Sequence, residues 1–387
     1  MSRYTIPSSW SVKKISEVAV VTMGASPSST SYNDDKIGLP LIQGNADCAN
    51  RKTKPRIYTS EITKKCKAGD IIMTVRAPVG AISKSNHVAC IGRGVCAIDS
   101  KINNEFLYQS LVYHENSWGK LSQGSTFEAV SGSDIKGFKI SVPPLKEQEK
   151  IAEILSTWDS AIEKQEQLIE KKKEFKKGLM QKLLSGEVRF KEFDDKWKKA
   201  KLDNYIEPIS RECGKPSEGY WRLGLRSHGK GTFHQFVDDP TKVSMDKLYK
   251  VKANDLIVNI TFAWEHAIAV ANSEDEDKLV SHRFPTYEFK ENAYSEYFKY
   301  YILQSRFREM LVNISPGGAG RNRVMNKKDF LKLEVLIPSY DEQKRIAEFL
   351  ISSDKEIELL EKELEALKLQ KKGLMQRLLT GEVRVKV

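Results

Sequence analysis

The chain has 387 residues, with 63 Lys and Arg against 52 Asp and Glu, giving a formal charge of +11. At ~150 residues per domain this length predicts two or three domains, and 40% hydrophobic residues supply cores for them, while the 30% charged fraction is periodic and mixed in sign, unlike a disordered chain. No run approaches the ~18 apolar residues of a spanning helix, the opening MSRYTIPSSWSVKK lacks the apolar run of a signal peptide, and the five cysteines (Cys48, Cys66, Cys90, Cys96, Cys213) include no C-x-x-C pair, which excludes a disulfide framework or zinc knuckle and suits a reducing cytoplasm.

In chain order, residues 1–142 are strand-rich, with strands expected in DIIMTVRAPVGAI and HVACIGRGVCAI and a helix in NEFLYQSLVYHENSW. Residues 143–189 predict one long helix, from PPLKEQEKIAEIL to KKGLMQKLLSGEVR. Residues 190–337 return to strands (DLIVNITFAWEHAIAVA) with a helical stretch (SEYFKYYILQSRFREML), and residues 338–387 predict a second long helix, from PSYDEQKRIAEFL to KKGLMQRLLTGEVR. The two helical segments are copies. Gln148 matches Gln343 and Gly186 matches Gly381, each 195 positions on, with no gap and with about half the positions identical. The segments between them agree only at scaffold points: Trp10 and Ile15 beside Trp197 and Leu202, and AGDII (68–72) beside ANDLI (253–257). The expected class is α+β, two α/β domains alternating with two long helices in a pseudo-two-fold internal repeat.

Each helix carries an apolar stripe in alternating steps of four and three. The first copy gives Ile151, Leu155, Trp158, Ile162, Ile169, Leu179 and Leu183, with Gln165, Lys172 and Lys176 at the remaining steps. The second gives Ile346, Leu350, Ile357, Leu360, Leu364, Leu374 and Leu378, with Ser353, Leu367 and Lys371 between. That is a coiled-coil seam, and an antiparallel pair within the chain is its simplest closure; two helices on separate cores is the other. Ser339 and Glu342 have the spacing of a capping box, Pro144 suits a helix start, and Gly186 and Gly381 suit the helix ends. Interior Gly178 and Gly373 predict close packing or a bend. The seam lysines predict imperfect packing in the second half of each helix, with room for another protein. Leu145 to Ser185 at ~1.5 Å per residue makes a rod of ~60 Å.

Catalytic motifs fail. Gly224-Leu-Arg-Ser-His-Gly229-Lys230-Gly231 resembles a phosphate loop, but no Ser or Thr follows the lysine and TFHQF after it reads as strand. Glu288-Phe289-Lys290 has nuclease-like E-x-K spacing, which recurs by chance in so charged a chain; a surface strand is the better reading. A [DN]-P-P-[YFW] methylation tetrapeptide is absent, since the adjacent prolines, Pro143-Pro144, sit between Val142 and Leu145. The six histidines form no H-x-x-x-H pair. The sequence describes a binder, with no metal site and no catalytic residue.

Two variable domains alternate with helices that open P-x-x-x-E-Q-x-x-I-A-E and close G-L-M-Q-x-L-L-x-G-E-V. Along its whole length the chain resembles the DNA sequence-specificity subunit of type I restriction-modification systems. The resemblance implies target recognition domains at 1–142 and 190–337, each reading half of a split, asymmetric site on double-stranded DNA, and spacer helices at 143–189 and 338–387. It implies that the helices pair as an antiparallel coiled coil and dock two methyltransferase subunits, with restriction and translocase subunits in the full complex. S-adenosylmethionine, ATP and magnesium then belong to the partners, none to this chain, and no membrane is involved. The rivals are a coiled-coil protein scaffold without a DNA role and a stand-alone methyltransferase or nuclease.

Base readout needs Arg, Lys, Asn or Gln beside the duplex, with hydroxyls and amides on phosphates. In the first domain the candidates are Gln43, Asn45 and Arg51 (with Asp47), Thr74 and Arg76, and Gln123, Ser125 and Thr126. In the second they are Arg226, Ser227, His228 and Lys230, then Thr261, Trp264 and His266, then Arg321, Asn322 and Arg323. Each has a plainer role open to it. Arg76 suits a carboxylate partner as well as DNA, Asn45 and Asp47 suit turns, and Trp264 suits a core. Arg321 and Arg323, beside a glycine run without acidic neighbours, favour DNA. The run KKKEFKK (171–177) suits a solvated helix end.

Overall fold

The computed structural model describes residues 6–122, 129–317 and 323–387. It divides into two compact units, Met1–Gln167 with Glu361–Val387, and Leu168–Leu360. Both boundaries fall inside the long helices, so each unit holds one strand-rich domain and one half of each helix.

In the first unit Ser11–Lys14 pairs antiparallel with Lys139–Val142, tying the start of the domain to its end. The apolar run Ile71–Thr74 lies inside a six-stranded sheet, between Ile82–Lys84 and Val95–Ser100. Successive strand side chains point to opposite faces. Ile71 and Met73 therefore pack with Ile15, Leu107, Leu111 and Trp118, and Ile72 packs with Ile42, Ile91 and Val95 on the other side. Burial on both faces is why this strand reads as a continuous apolar run. A second, five-stranded sheet holds Leu39–Ile42 parallel to Ala89–Ile91.

The second unit repeats the plan, with Lys198–Lys201 against Glu334–Ile337, a four-stranded sheet and a five-stranded sheet. The AGDII and ANDLI matches mark one shared turn. Gly69 (φ 92°) and Asn254 (φ 68°) take the left-handed conformation these residues tolerate, and the following Asp70 and Asp255 accept from Lys67 N and Lys252 N, both at 2.8 Å. TFHQF lies in the strand Thr232–Val237. Glu288 is also on a strand, Thr286–Phe289, but an inner, half-buried one, where its carboxylate receives Arg211.

The long helices run unbroken over Leu145–Ser185 and Tyr340–Leu379. In the first unit Ile151, Ala152 and Leu155 pack with Met375, Leu378 and Leu379, together with Trp10 and Phe106. In the second, Leu183 and Leu184 share a core with Ile346, Ala347 and Leu350. In each unit the start of one helix meets the end of the other, so the pair is antiparallel, and separate cores are excluded. Every expected seam position is buried or half-buried.

Two expectations about the helices are corrected and a third is qualified. The seam lysines each meet a carboxylate of the facing helix, Lys371 with Asp159 at 2.5 Å, Lys172 with Glu356 at 2.6 Å, and Lys176 with Asp354, and an open cleft lies beside Lys371 and Asp159. The Asp159–Lys371 and Asp354–Lys176 pairs are images of one another under the repeat. Ser339 does precede the second helix, but the Glu342 carboxylate is taken by Arg189 and Trp197 and not by a capping box. Gly178 and Gly373 do not mark close packing, since a Cβ at either would meet nothing within 4 Å. Gly178→Ala and Gly373→Ala are therefore each expected to stabilise the protein by about 0.5–1 kcal/mol, read as a raised thermal midpoint. The terminal glycines do end the helices. Both have φ 76°, with Val188 N donating to Lys182 O at 3.2 Å and Val383 N to Arg377 O at 3.1 Å.

Candidate nucleic-acid interface

The Glu-Gln pair that opens each helix anchors the domain beside it. Glu147 accepts from Arg384 Nε at 2.8 Å and Trp10 Nε1 at 3.2 Å; Glu342 accepts from Arg189 Nε at 2.9 Å and Trp197 Nε1 at 3.0 Å. Gln148 donates to Pro143 O at 2.8 Å and accepts from Asn103 N at 3.1 Å, at the cap of the helix Asn104–Tyr113. Gln343 likewise donates to Pro338 O at 3.1 Å and accepts from Tyr294 N at 2.8 Å, at the cap of Ser295–Tyr301. These four buried side chains join each domain's helix and tryptophan to the long helix beside it. The second contact comes from the same two helices, where Gln109 Nε2 donates to Asp159 at 2.6 Å and Tyr300 OH to Asp354 at 2.8 Å. Sequence reasoning noted the repeated E-Q and G-E-V-R but gave them no role.

In the first unit Gln43, Asn45 and Arg76 come from separate loops to line one cleft of about 520 Å³, joined by Tyr32, Ser26 and Arg93. Gln43 Nε2 donates to Tyr32 OH at 2.8 Å. Asp47 is buried and acts on its own backbone: it accepts from Gln43 N at 2.8 Å and from Arg56 Nε at 2.9 Å. Arg76 is exposed, and among the described residues no carboxylate pairs with it. Its backbone bridges Ala129. Gln123, Ser125 and Thr126 themselves lie outside the described residues. Two candidates are committed elsewhere. Arg51 Nη2 pairs with Glu115 at 2.9 Å, in a different and larger cleft. Thr74 is buried, its hydroxyl donating to Pro78 O at 2.5 Å and accepting from Ala81 N at 2.9 Å.

In the second unit three distant segments also meet. The turn after Tyr220–Leu225 touches the 3-10 turn Ala263–Glu265 through His228 N to Glu265 O (2.7 Å) and Gly229 N to His266 O (2.8 Å), and Met325 N reaches Ile260 O at 2.8 Å. Arg323 thereby lies over the half-buried Trp264 ring, 5.4 Å from its centroid. Trp264 Nε1 donates to Thr261 O at 3.1 Å. Lys230 and His228 are exposed at the turn, and Arg226 lies over Phe233 while donating to Thr232 O. Ser227 and Thr261 spend their hydroxyls internally, on Glu265 at 2.6 Å and Asn259 at 2.7 Å. His266 is buried, and burial pushes its imidazole below the usual histidine range; its Nε2–H donates to Ile302 O at 2.7 Å. Arg321 and Asn322 lie outside the described residues. Sequence reasoning missed Arg93 and Tyr32, which line the cleft of the first unit. The glycines around Arg93 were the available signal.

Among the described residues no group of three or more His, Cys, Asp or Glu stands ready to hold a metal, and no helix is long and apolar enough to cross a membrane.

Each strand-rich domain packs on one half of each long helix and presents cations and amides from several loops. The chain belongs to the family described as type I restriction modification DNA specificity domain, which it matches over residues 7–171 and 220–369. It is 36% identical over 191 residues to the putative type I restriction enzyme MjaX specificity subunit of Methanocaldococcus jannaschii, covering 48% of this chain and 45% of that relative, thus under half its length. It is 28% identical over 302 residues to the MjaVIII specificity subunit of the same organism, covering 73% of this chain and 70% of the relative. The crystal structure of the type I restriction-modification S subunit from M. genitalium shares the fold, with a TM-score of 0.56 over 98% of both chains at 16% identity.

Proposed function

We propose that this chain is the non-catalytic DNA reader of its type I system, working in the cytoplasm. Each domain recognises one half of a bipartite, asymmetric site on double-stranded DNA, and the spacer helices carry two methyltransferase subunits and, through them, any restriction subunits. S-adenosylmethionine, ATP and magnesium are bound by those partners. The observation that carries this reading is the pair of loop clusters, each holding an arginine without a carboxylate partner among the described residues (Arg76, Arg323) beside polar or aromatic groups suited to bases. The clusters sit at matching places in the two domains, joined by the equivalent bonds Val130 N to Val75 O (3.1 Å) and Met325 N to Ile260 O (2.8 Å), yet carry different residues. The names of the relatives, specificity subunits of type I restriction enzymes, support it.

Methylome sequencing of cells expressing the chain with methyltransferase subunits tests it. Arg76→Ala and Arg323→Ala are each expected to relax one half-site, by ~1–3 kcal/mol at the affected position, and to leave the other half intact. Methyl transfer by the purified chain alone, or a motif unaltered by both changes, refutes the assignment.

A further inference from the structure

Resting on that DNA-reading role, the cleft of the first domain carries one residue more. Gly92-Arg93-Gly94 links the strands Ala89–Ile91 and Val95–Ser100, which lie in different sheets. A Cβ on Gly94 would come 2.1 Å from the Gln43 carbonyl oxygen, so the two turns approach this closely only because position 94 is glycine; a Cβ on Gly92 would sit 3.4 Å from Gln43. The same tripeptide is tied on both sides: Gly92 N donates to Ile42 O at 2.8 Å, and Gly94 O accepts from Val75 N at 2.9 Å. Arg93 N donates to Ser26 Oγ at 3.1 Å. Arg93 is thus fixed between the residues that precede Gln43 and Arg76. Its side chain is exposed, and among the described residues it has no carboxylate partner.

We infer that Arg93 reads a base in the first half-site, taking the O6/N7 edge of a guanine beside the base that Gln43 reads. A guanidinium fork matches that edge with two parallel hydrogen bonds. Gln43 is set for a neighbouring base: Tyr32 OH donates to Pro27 O at 3.3 Å and accepts from Gln43 Nε2, which fixes which end of the amide is nitrogen. The second N–H and the Oε1 then suit an adenine edge. A phosphate contact would leave unexplained why Gly94 brings the turn of this arginine against an oriented amide in a cleft. In the second domain Ile260 N donates to Arg283 O where Val75 N donates to Gly94 O, which puts His282 at the place of Arg93. The two half-sites therefore differ at this base.

The test is selection from a library of DNA duplexes randomised in both half-sites, using the full chain in complex with its methyltransferase subunits. Arg93→Ala is expected to lose about 10- to 100-fold preference for guanine at one position of one half-site, with the other half-site and the salt dependence unchanged. Arg93→Lys keeps the charge and the turn but not the fork, and is expected to relax the same position. Uniform weakening across all sequences, with the salt slope reduced by about one, makes Arg93 a phosphate contact and overturns the inference. An unaltered motif, or relaxation at a position that is not guanine, also overturns it. Unmodified chain that selects no bipartite sequence refutes the DNA-reading role itself, and this inference with it.

Discussion

Removing residues 361–387 is expected to loosen the domain at the opposite end of the sequence. Those residues bring Met375, Leu378 and Leu379 against Trp10, Phe106, Ile151 and Leu155. Burying a side chain of this size contributes ~1.5–3 kcal/mol, so the three give roughly 5–9 kcal/mol, comparable with the ~5–15 kcal/mol that holds a whole domain. Arg384, which leaves with them, is the partner of Glu147. Phe106 and Leu155, now fully enclosed, would face water. The separate core around Ile15, Met73 and Trp118 stays in place, so the expected product keeps its strands but loses fixed packing. Amide hydrogen exchange reads this directly. Residues 104–113 and 145–160 should change from slow to fast exchange, while the core around Leu256, Phe298 and Leu350, which uses none of the deleted residues, keeps its protection. Slow exchange retained at 104–113 would mean that the second helix is not part of the first unit's core.

The helix pair was legible in the sequence because a coiled-coil seam is a local, one-dimensional signal: residues three and four apart decide it, and the 195-residue repeat supplies the partner. Its chemistry was less legible. Lys371 and Asp159 are 212 positions apart, and nothing local says that a seam lysine will meet a carboxylate from an antiparallel neighbour. Gly178 looked like a packing site because glycine inside a helix is costly, yet its surroundings are open. In the domains, the loops rich in amides and cations are legible locally, but which loops meet is set by strand order. Leu39–Ile42 runs parallel to Ala89–Ile91, and that crossover delivers Arg93 to Gln43. The same topology turns Thr74, Ser227 and Thr261 inward to hold the turns that display their neighbours. A hydroxyl that builds a loop and one that touches a ligand are the same letter in a sequence.

Glu147→Gln is expected to lower stability by about 1.5–3 kcal/mol at pH 7, the range for hydrogen bonds to a charged group, and to change its response to acid. The Glu147 side chain is 4% exposed, so its charge has little water to fall back on. Hydrogen bonds from Arg384 hold its carboxyl below the usual value of 4.5, against the opposing effect of burial, with Trp10 adding to them. The folded pKa lies below the unfolded one, so the stabilisation is complete above the unfolded value and is lost as pH falls through the folded value. Thermal midpoints measured from pH 7 down to pH 3 should therefore fall more steeply below about pH 4.5 in the unmodified chain than in the glutamine variant, which has no carboxyl to protonate there. Equal slopes would show that the carboxylate contributes nothing through its charge. Trp10, Glu147 and Arg384 come from the start of the first domain, the start of one helix and the segment after the other, so neutralising a single carboxylate loosens both attachments at once. A merely exposed ion pair, worth ~0–1 kcal/mol, would not produce that coupling.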